Sequence, residues 1–100
     1  MNNMIQTIGG SINPNDLGVT YTHAHLTGST PKWLKPTTWP GLTYYKVDPD
    51  IGLPEPEKMI QEVKAFENAG GQALIEVTAI DWGRKIAPIL QVAEQVRSHI

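Results

Sequence analysis

The sequence predicts an α/β fold built around a parallel β-sheet. Two segments with the β-branched and apolar character of strands, residues 17–25 and 73–78, are each followed along the chain by a segment with helical periodicity. Prolines and glycines separate these segments, as they do at the ends of regular elements. Strands that alternate with helices pair in parallel through right-handed crossovers. The composition shows no repeat and no internal shift, so residues 1–100 are predicted to form a single domain.

The first predicted element is an amino-terminal β-hairpin. Residues 5–12 are apolar enough for a short strand, and residues 13–16, which are Asn, Pro, Asn and Asp, favour a turn. Valine, threonine and tyrosine favour an extended backbone over residues 17–25. We therefore expect the segments 5–12 and 17–25 to pair with each other around that turn.

Two helices and a second strand complete the predicted order. Residues 55–68 carry an apolar stripe at helical spacing, begin with prolines and glutamates that suit a first turn, and are followed by two glycines. Residues 73–78 form a nearly continuous apolar run, as in a strand that is buried on both faces. Residues 84–98 carry apolar residues along one face and are predicted to form the second helix. Pro88 lies close enough to its start to be tolerated. His99 then leads into a further strand.

Charge and composition exclude several classes of function. The net charge is −2 and the lysines and arginines are scattered, so no nucleic-acid surface is expected. No apolar run approaches the roughly 18 residues of a membrane span, and no secretory signal is visible, so we expect no membrane partner and a cytoplasmic location. The chain has no cysteine, so any bound metal must be held by nitrogen and oxygen ligands.

A pair of histidines is the most specific chemical feature of the sequence. His23 and His25 are separated by one residue at the end of a predicted strand, and a long segment rich in proline and tryptophan follows. Alternate side chains of a strand leave the same face, so two imidazoles at this spacing can bind one cation. The alternative is that they are polar strand residues bonded to backbone or solvent.

Four stretches of the chain resemble one protein family. Ile5-Gln-Thr-Ile-Gly-Gly-Ser-Ile12 and Leu17-Gly-Val-Thr-Tyr-Thr-His-Ala-His-Leu26 are similar to the amino terminus of the phosphotriesterase-like group of metal-dependent amidohydrolases. Ala73-Leu-Ile-Glu-Val-Thr-Ala79 and Gly83-Arg-Lys-Ile-Ala-Pro-Ile-Leu90 are similar to its second barrel strand and the helix after it. The resemblance implies an amino-terminal β-hairpin and the first two βα units of a TIM (β/α)₈ barrel. Such a barrel takes about 250 residues, so residues 1–100 are expected to be a partial domain.

The same resemblance implies a metal-dependent hydrolase. Family members hold one or two divalent ions, usually zinc, and His23 and His25 match two of the ligands. The remaining ligands (a carboxylated lysine or carboxylate, two histidines and an aspartate) would come from later strands. The implied substrates are phosphotriesters of the organophosphate type, lactones or carboxylic esters, attacked by a metal-activated water. The 100 residues alone are expected to be inactive, and a homodimer is an expectation for the full-length protein.

Two positions depart from the family pattern and motivate other interpretations. Family members usually carry glutamate where this chain has Ala24, and aspartate where it has Lys85. Ala24 faces the opposite side of the strand, so it removes a supporting polar group rather than a ligand. A non-catalytic fragment or pseudoenzyme is therefore an alternative, and a small module that binds metal through His23 and His25 alone is another.

Further residues are candidates to line a substrate pocket. Trp33 and Trp39 belong to the long aromatic segment, which either faces the pocket or packs on its own scaffold or on a partner subunit. Thr78 and Asp81 follow the second strand and either face the pocket or act as turn and helix-capping residues. Glu76 lies within that strand, and a buried carboxylate there would need a partner that the sequence does not identify.

Overall fold

The protein is described by a computed structural model over residues 3–28 and 55–100. The order of elements within these ranges confirms the predicted α/β class. Short 3₁₀ turns lie at Pro14–Asp16 and Ile80–Trp82. The strands and helices are β1 (Ile5–Thr7), β2 (Gly10–Ile12), β3 (Thr20–Ala24), α1 (Pro56–Asn68), β4 (Ala73–Glu76) and α2 (Ile86–Gln95).

The amino-terminal hairpin forms, but with different partners from those predicted. β1 pairs with β2 in antiparallel register, from Ile5 opposite Ile12 to Thr7 opposite Gly10. Residues 8 and 9 form the turn, and Gly10 directly after it has a φ of 122°, which glycine adopts without strain. The predicted pairing of residues 5–12 with residues 17–25 is therefore wrong. The physical reason is that the turn at residues 8–9 folds residues 5–12 back on themselves.

β3 pairs with β4 in a parallel arrangement, as the alternation of strands and helices predicts. Thr20 lies opposite Ala73 and Ala24 lies opposite Glu76, with an irregularity of register between Tyr21 and Ala24. On its other side, Ala73 forms a parallel bridge with His99, and the Leu74 N–H donates to the His99 carbonyl at 2.8 Å. β4 is thus central, and residue 99 occupies the position of the next strand, in agreement with the prediction for His99.

Both helices cover one face of the parallel sheet. Val92 of α2 is completely buried, and the core joins side chains of β3, β4 and both helices. The opposite face of the sheet is open within residues 3–28 and 55–100: Ile75 is 47% and Val77, which follows β4, is 38% exposed. The expectation that residues 73–78 are buried on both faces is therefore not met there, because helices pack on one side only. The buried core side chains are Ala24, Leu26, Met59, Val63, Leu74, Ile89 and Val92.

The ends of the elements are tied together at the amino-terminal edge of the sheet. The Ile8 N–H in the hairpin turn donates to the Ile100 carbonyl at 2.7 Å. The carboxylate of Glu67 in α1 accepts the Arg97 N–H at 2.8 Å, which joins α1 to the segment after α2. α1 ends at Asn68, and Gly70 takes the left-handed conformation that the two glycines predict. No helix in the described part of the chain is both long and apolar enough to cross a membrane.

The start of α2 carries a residue that disfavours a helix amino terminus. Lys85 occupies the N-cap with extended torsions (φ −125°, ψ 128°), makes no capping hydrogen bond, and the first turn contains no acidic residue. Replacing Lys85 with aspartate is expected to raise the free energy of unfolding by about 0.5–1 kcal/mol, because the carboxylate can accept the Ala87 N–H and lies at the positive end of the helix dipole.

Urea unfolding of the protein expressed from the complete reading frame measures this gain. Lys85→Ala is the control, since it removes the positive charge without adding an acceptor and should give less than half of the gain. Equal stability of Lys85→Asp and Lys85→Ala would contradict the assignment of Lys85 as a poor cap.

Candidate metal centre

The two histidines lie at the carboxyl edge of the parallel sheet. His23 is in β3, and His25 follows the last residue of β3 directly. Because β3 and β4 are parallel, the residues that follow β4 reach the same edge, and Thr78 is among them. Active sites of (β/α)₈ enzymes are built at this edge of the strands. Both imidazoles belong to exposed residues, whereas Ala24 between them is buried in the core on the opposite side.

The two imidazole rings converge through their Nε2 atoms. The Nε2 atoms of His23 and His25 are 3.1 Å apart, and the ring planes meet at 67°. Two ligands of a tetrahedral zinc ion with bonds of about 2.0–2.1 Å have their nitrogens about 3.3 Å apart. The pair therefore has nearly the separation that one cation requires, and imidazole nitrogen is a donor that zinc prefers. The residues present fit a metal ion as two of its ligands.

His25 is held at its second ring nitrogen by a buried threonine. Thr78 is only 3% exposed, and its Oγ1 lies 2.9 Å from His25 Nδ1. The same hydroxyl donates to the Thr27 carbonyl at 3.0 Å. The residues in this contact are separated by 53 positions along the chain, so it depends on the pairing of β3 with β4.

Glu76 connects the ends of the two parallel strands. One carboxylate oxygen accepts the Thr78 N–H at 2.6 Å, and the other accepts the Leu26 N–H. These two backbone groups are the partners that the sequence could not identify. A carboxylate that accepts two N–H groups from different strand ends holds those ends in a fixed relation. Glu76 is a site residue that sequence reasoning missed, and its only signal was a charged residue within an apolar strand.

The structure describes only some of the other residues that the sequence predicts for the site. Asp81 lies in the 3₁₀ turn Ile80–Trp82, close in the chain to the carboxyl edge. Trp33 and Trp39 fall outside the described residues. The hydroxyl of Thr78 is hydrogen-bonded to the His25 ring and to the Thr27 carbonyl, so in this geometry it contacts a histidine. That these four residues line a substrate pocket stays a prediction.

The described residues supply only part of a catalytic metal site. Within residues 3–28 and 55–100, no group of three or more histidine, aspartate or glutamate side chains is placed to hold a metal ion. A catalytic zinc ion takes three protein ligands and a water molecule. His23 and His25 therefore need at least one further ligand from elsewhere in the protein.

The fold and the paired histidines define the beginning of a (β/α)₈ barrel of the phosphotriesterase type: helices cover one face of two parallel strands, and the first of these strands presents His23 and His25 at the carboxyl edge. The model of the phosphotriesterase family matches residues 3–100. The chain belongs to this family.

Individual relatives agree with this assignment. The chain is 28% identical to N-acetyltaurine hydrolase of Rattus norvegicus over 114 residues, which cover 96% of this chain and 33% of that protein. A crystal structure of a lactonase from Listeria monocytogenes superimposes with a TM-score of 0.76 at 28% identity, covering 98% of this chain and 27% of that one.

A second solved structure supports the fold alone. A resiniferatoxin-binding protein from Rhodobacter sphaeroides superimposes with a TM-score of 0.77 at 24% identity, covering 96% of this chain and 32% of that one. The chain spans about a third of the length of the curated rat relative.

Proposed function

We propose that the protein containing this chain is a metal-dependent hydrolase in which His23 and His25 bind a divalent ion, zinc being the first choice, in a site of one or two ions. The observation that carries the proposal is the 3.1 Å separation of the two Nε2 atoms at the carboxyl edge of the sheet. Membership of the phosphotriesterase family supports hydrolysis as the class of reaction.

The described residues contribute positioning to this chemistry. A bound divalent ion would supply an activated water and would polarise the oxygen of the bond to be cleaved. His23 in β3 and His25 directly after it present their Nε2 atoms, and the Thr78 hydroxyl contacts the second ring nitrogen of His25. Glu76 holds the ends of β3 and β4 together, so that the imidazoles and Thr78 stay in register. The reaction adds the elements of water across an acyl or phosphoryl bond.

The substrate class is a small molecule with a hydrolysable acyl or phosphoryl bond. The lactonase and the N-acetyltaurine hydrolase to which the chain is similar are named for a cyclic ester and for an N-acyl compound. We therefore propose lactones and carboxylic esters as the first substrates to test, followed by phosphotriesters and N-acyl amides. A small polar ligand of this kind suits a site at the mouth of a barrel.

The test is metal analysis combined with a substrate panel. The protein from the complete reading frame is purified without added metal, analysed by mass spectrometry for bound metals, and assayed with a lactone, an aryl ester, a phosphotriester and an N-acyl amide. We expect at least one tightly bound metal ion per chain and hydrolysis of one panel member. Chelation should remove both, and added zinc should restore both.

Two results would count against the proposal. Hydrolysis that persists unchanged after complete metal removal would show that the reaction does not use this site. Metal that is absent from the purified protein and fails to bind on titration, with no panel member hydrolysed, would favour the pseudoenzyme instead. That alternative is motivated by Ala24, which stands where the family usually has glutamate.

A further inference from the structure

We propose that Thr78 sets the tautomer of His25 and is thereby a positioning residue of the metal centre. Its consequence for metal binding rests on the proposed function. The tautomer itself is a property of the metal-free protein and can be tested without any metal.

The proton count at the Thr78 hydroxyl carries the argument. A threonine hydroxyl has one proton to donate and can also accept. Its Oγ1 donates that proton to the Thr27 carbonyl, which is an acceptor only, at 3.0 Å. The 2.9 Å contact between Thr78 Oγ1 and His25 Nδ1 must then be a bond in which the imidazole donates. The proton of a neutral His25 ring is therefore on Nδ1, and the lone pair is on Nε2.

This tautomer is the one that metal binding through Nε2 requires. The Nε2 atom of His25 points at Nε2 of His23, 3.1 Å away. With the lone pair on His25 Nε2, the metal-free pair is satisfied when His23 Nε2–H donates to it. Binding of a metal ion would require His23, which is exposed, to move that proton to its own Nδ1 through solvent, whereas His25 would need no such change. A ring with its proton on Nε2 would instead need to lose or move it before binding.

Thr78 is itself held in place, so it can impose this choice. It is nearly completely buried, and its N–H donates to Glu76 Oε1 at 2.6 Å. Because both the backbone and the hydroxyl of Thr78 are bonded, the hydroxyl cannot rotate to donate to His25 without leaving the Thr27 carbonyl unpaired. An unpaired buried carbonyl costs free energy. Here the supporting group that Ala24 cannot provide is supplied by Thr78 from the neighbouring strand.

Three variants separate positioning from simple packing. Thr78→Val keeps the shape of the side chain and removes the hydroxyl, Thr78→Ser keeps the hydroxyl, and Thr22→Val makes the same change at an exposed position of β3. Each is made in the protein from the complete reading frame. Thr78→Ala is a second variant without the hydroxyl in case the valine variant fails to fold.

The first measurement is long-range ¹H–¹⁵N correlation spectroscopy of the histidines in metal-free protein, in mildly alkaline buffer. We expect wild type, Thr78→Ser and Thr22→Val to show His25 protonated on Nδ1, and Thr78→Val to lose that preference. A wild-type spectrum with His25 protonated on Nε2 would overturn the proposal without reference to any variant.

The second measurement is zinc affinity by competition with a chromophoric chelator. Loss of an outer partner of a histidine ligand typically weakens metal binding by about 10–100-fold, so we expect that loss for Thr78→Val. We expect less than about a threefold change for Thr78→Ser and Thr22→Val by the same reasoning. Equal affinity of wild type and Thr78→Val would overturn the positioning role. If neither the wild type nor any variant binds zinc, the proposed function is overturned. The spectrum of the wild-type protein would still show whether Thr78 sets the tautomer of His25.

Discussion

Replacing His23 or His25 with alanine is expected to remove the bound metal and, with it, hydrolysis. Zinc sites with four protein ligands bind with about 10–16 kcal/mol, so one ligand contributes roughly 3 kcal/mol, or at least about 100-fold in affinity. Each single variant should therefore lose metal during dialysis against a weak chelator. Turnover measured without added metal should fall by about the same factor or more.

The third histidine of the described residues provides a matched control. His99 pairs through its backbone with β4 at Ala73, far along the strands from the carboxyl edge, so His99→Ala should retain metal and rate. Metal content is measured by mass spectrometry, and the rate is measured with the best panel substrate. Full metal content and full rate in His25→Ala would refute the assignment of the rim histidines as ligands.

Replacing Glu76 with alanine is expected to lower the free energy of unfolding substantially, because it removes the carboxylate that joins the ends of β3 and β4. The change would leave the N–H groups of Leu26 and Thr78 without their acceptor. An unsatisfied buried donor costs about 1–3 kcal/mol, so the free energy of unfolding should fall by roughly 2–5 kcal/mol. Glu76→Gln keeps one acceptor oxygen and turns an amide group toward the other N–H, so it should lose about half as much.

Urea denaturation followed by circular dichroism measures these losses. Glu62 is an exposed residue of α1, and Glu62→Ala should change the stability by no more than about 0.5 kcal/mol. Stability losses of the same size in Glu76→Ala and Glu62→Ala would show that the carboxylate of Glu76 does not hold the strand ends.

The core placement of Ala24 bears on the interpretation as a pseudoenzyme. Ala24 faces the helices and is buried among Leu26, Met59 and Leu74. The missing glutamate therefore does not leave a gap beside the imidazoles, and support for His25 comes from Thr78 instead. The departure at Ala24 changes which residues support the site and leaves both histidines in place.

Much of the fold could be predicted from local patterns. The apolar stripes of α1 and α2, the apolar run of β4 and the glycines after α1 each depend on residues close together in the sequence. The side-by-side exit of His23 and His25 follows from the two-residue period of a strand in the same way. These features agree with the structure because neighbouring residues determine them.

The contacts that support the candidate site could not be predicted in this way. Two turns were available near the amino terminus, at residues 8–9 and 13–16, and the hydrophobic pattern does not choose between them. The structure uses the first for the hairpin and leaves β3 free to pair with β4. Glu76 reaches the Leu26 N–H, and Thr78 reaches His25, only through that pairing, since these partners lie 50 and 53 positions away.

The sequence by itself determined the α/β order, the approximate extent of both helices and the pairing of two imidazoles on one strand face, since each is a matter of short-range period and composition. Tertiary structure decided which strands are neighbours, that Glu76 accepts the Leu26 N–H, and which atom of His25 Thr78 contacts. The physical reason is that a hydrogen bond forms over about 3 Å in space, and only the register of β3 against β4 brings these distant groups within that range.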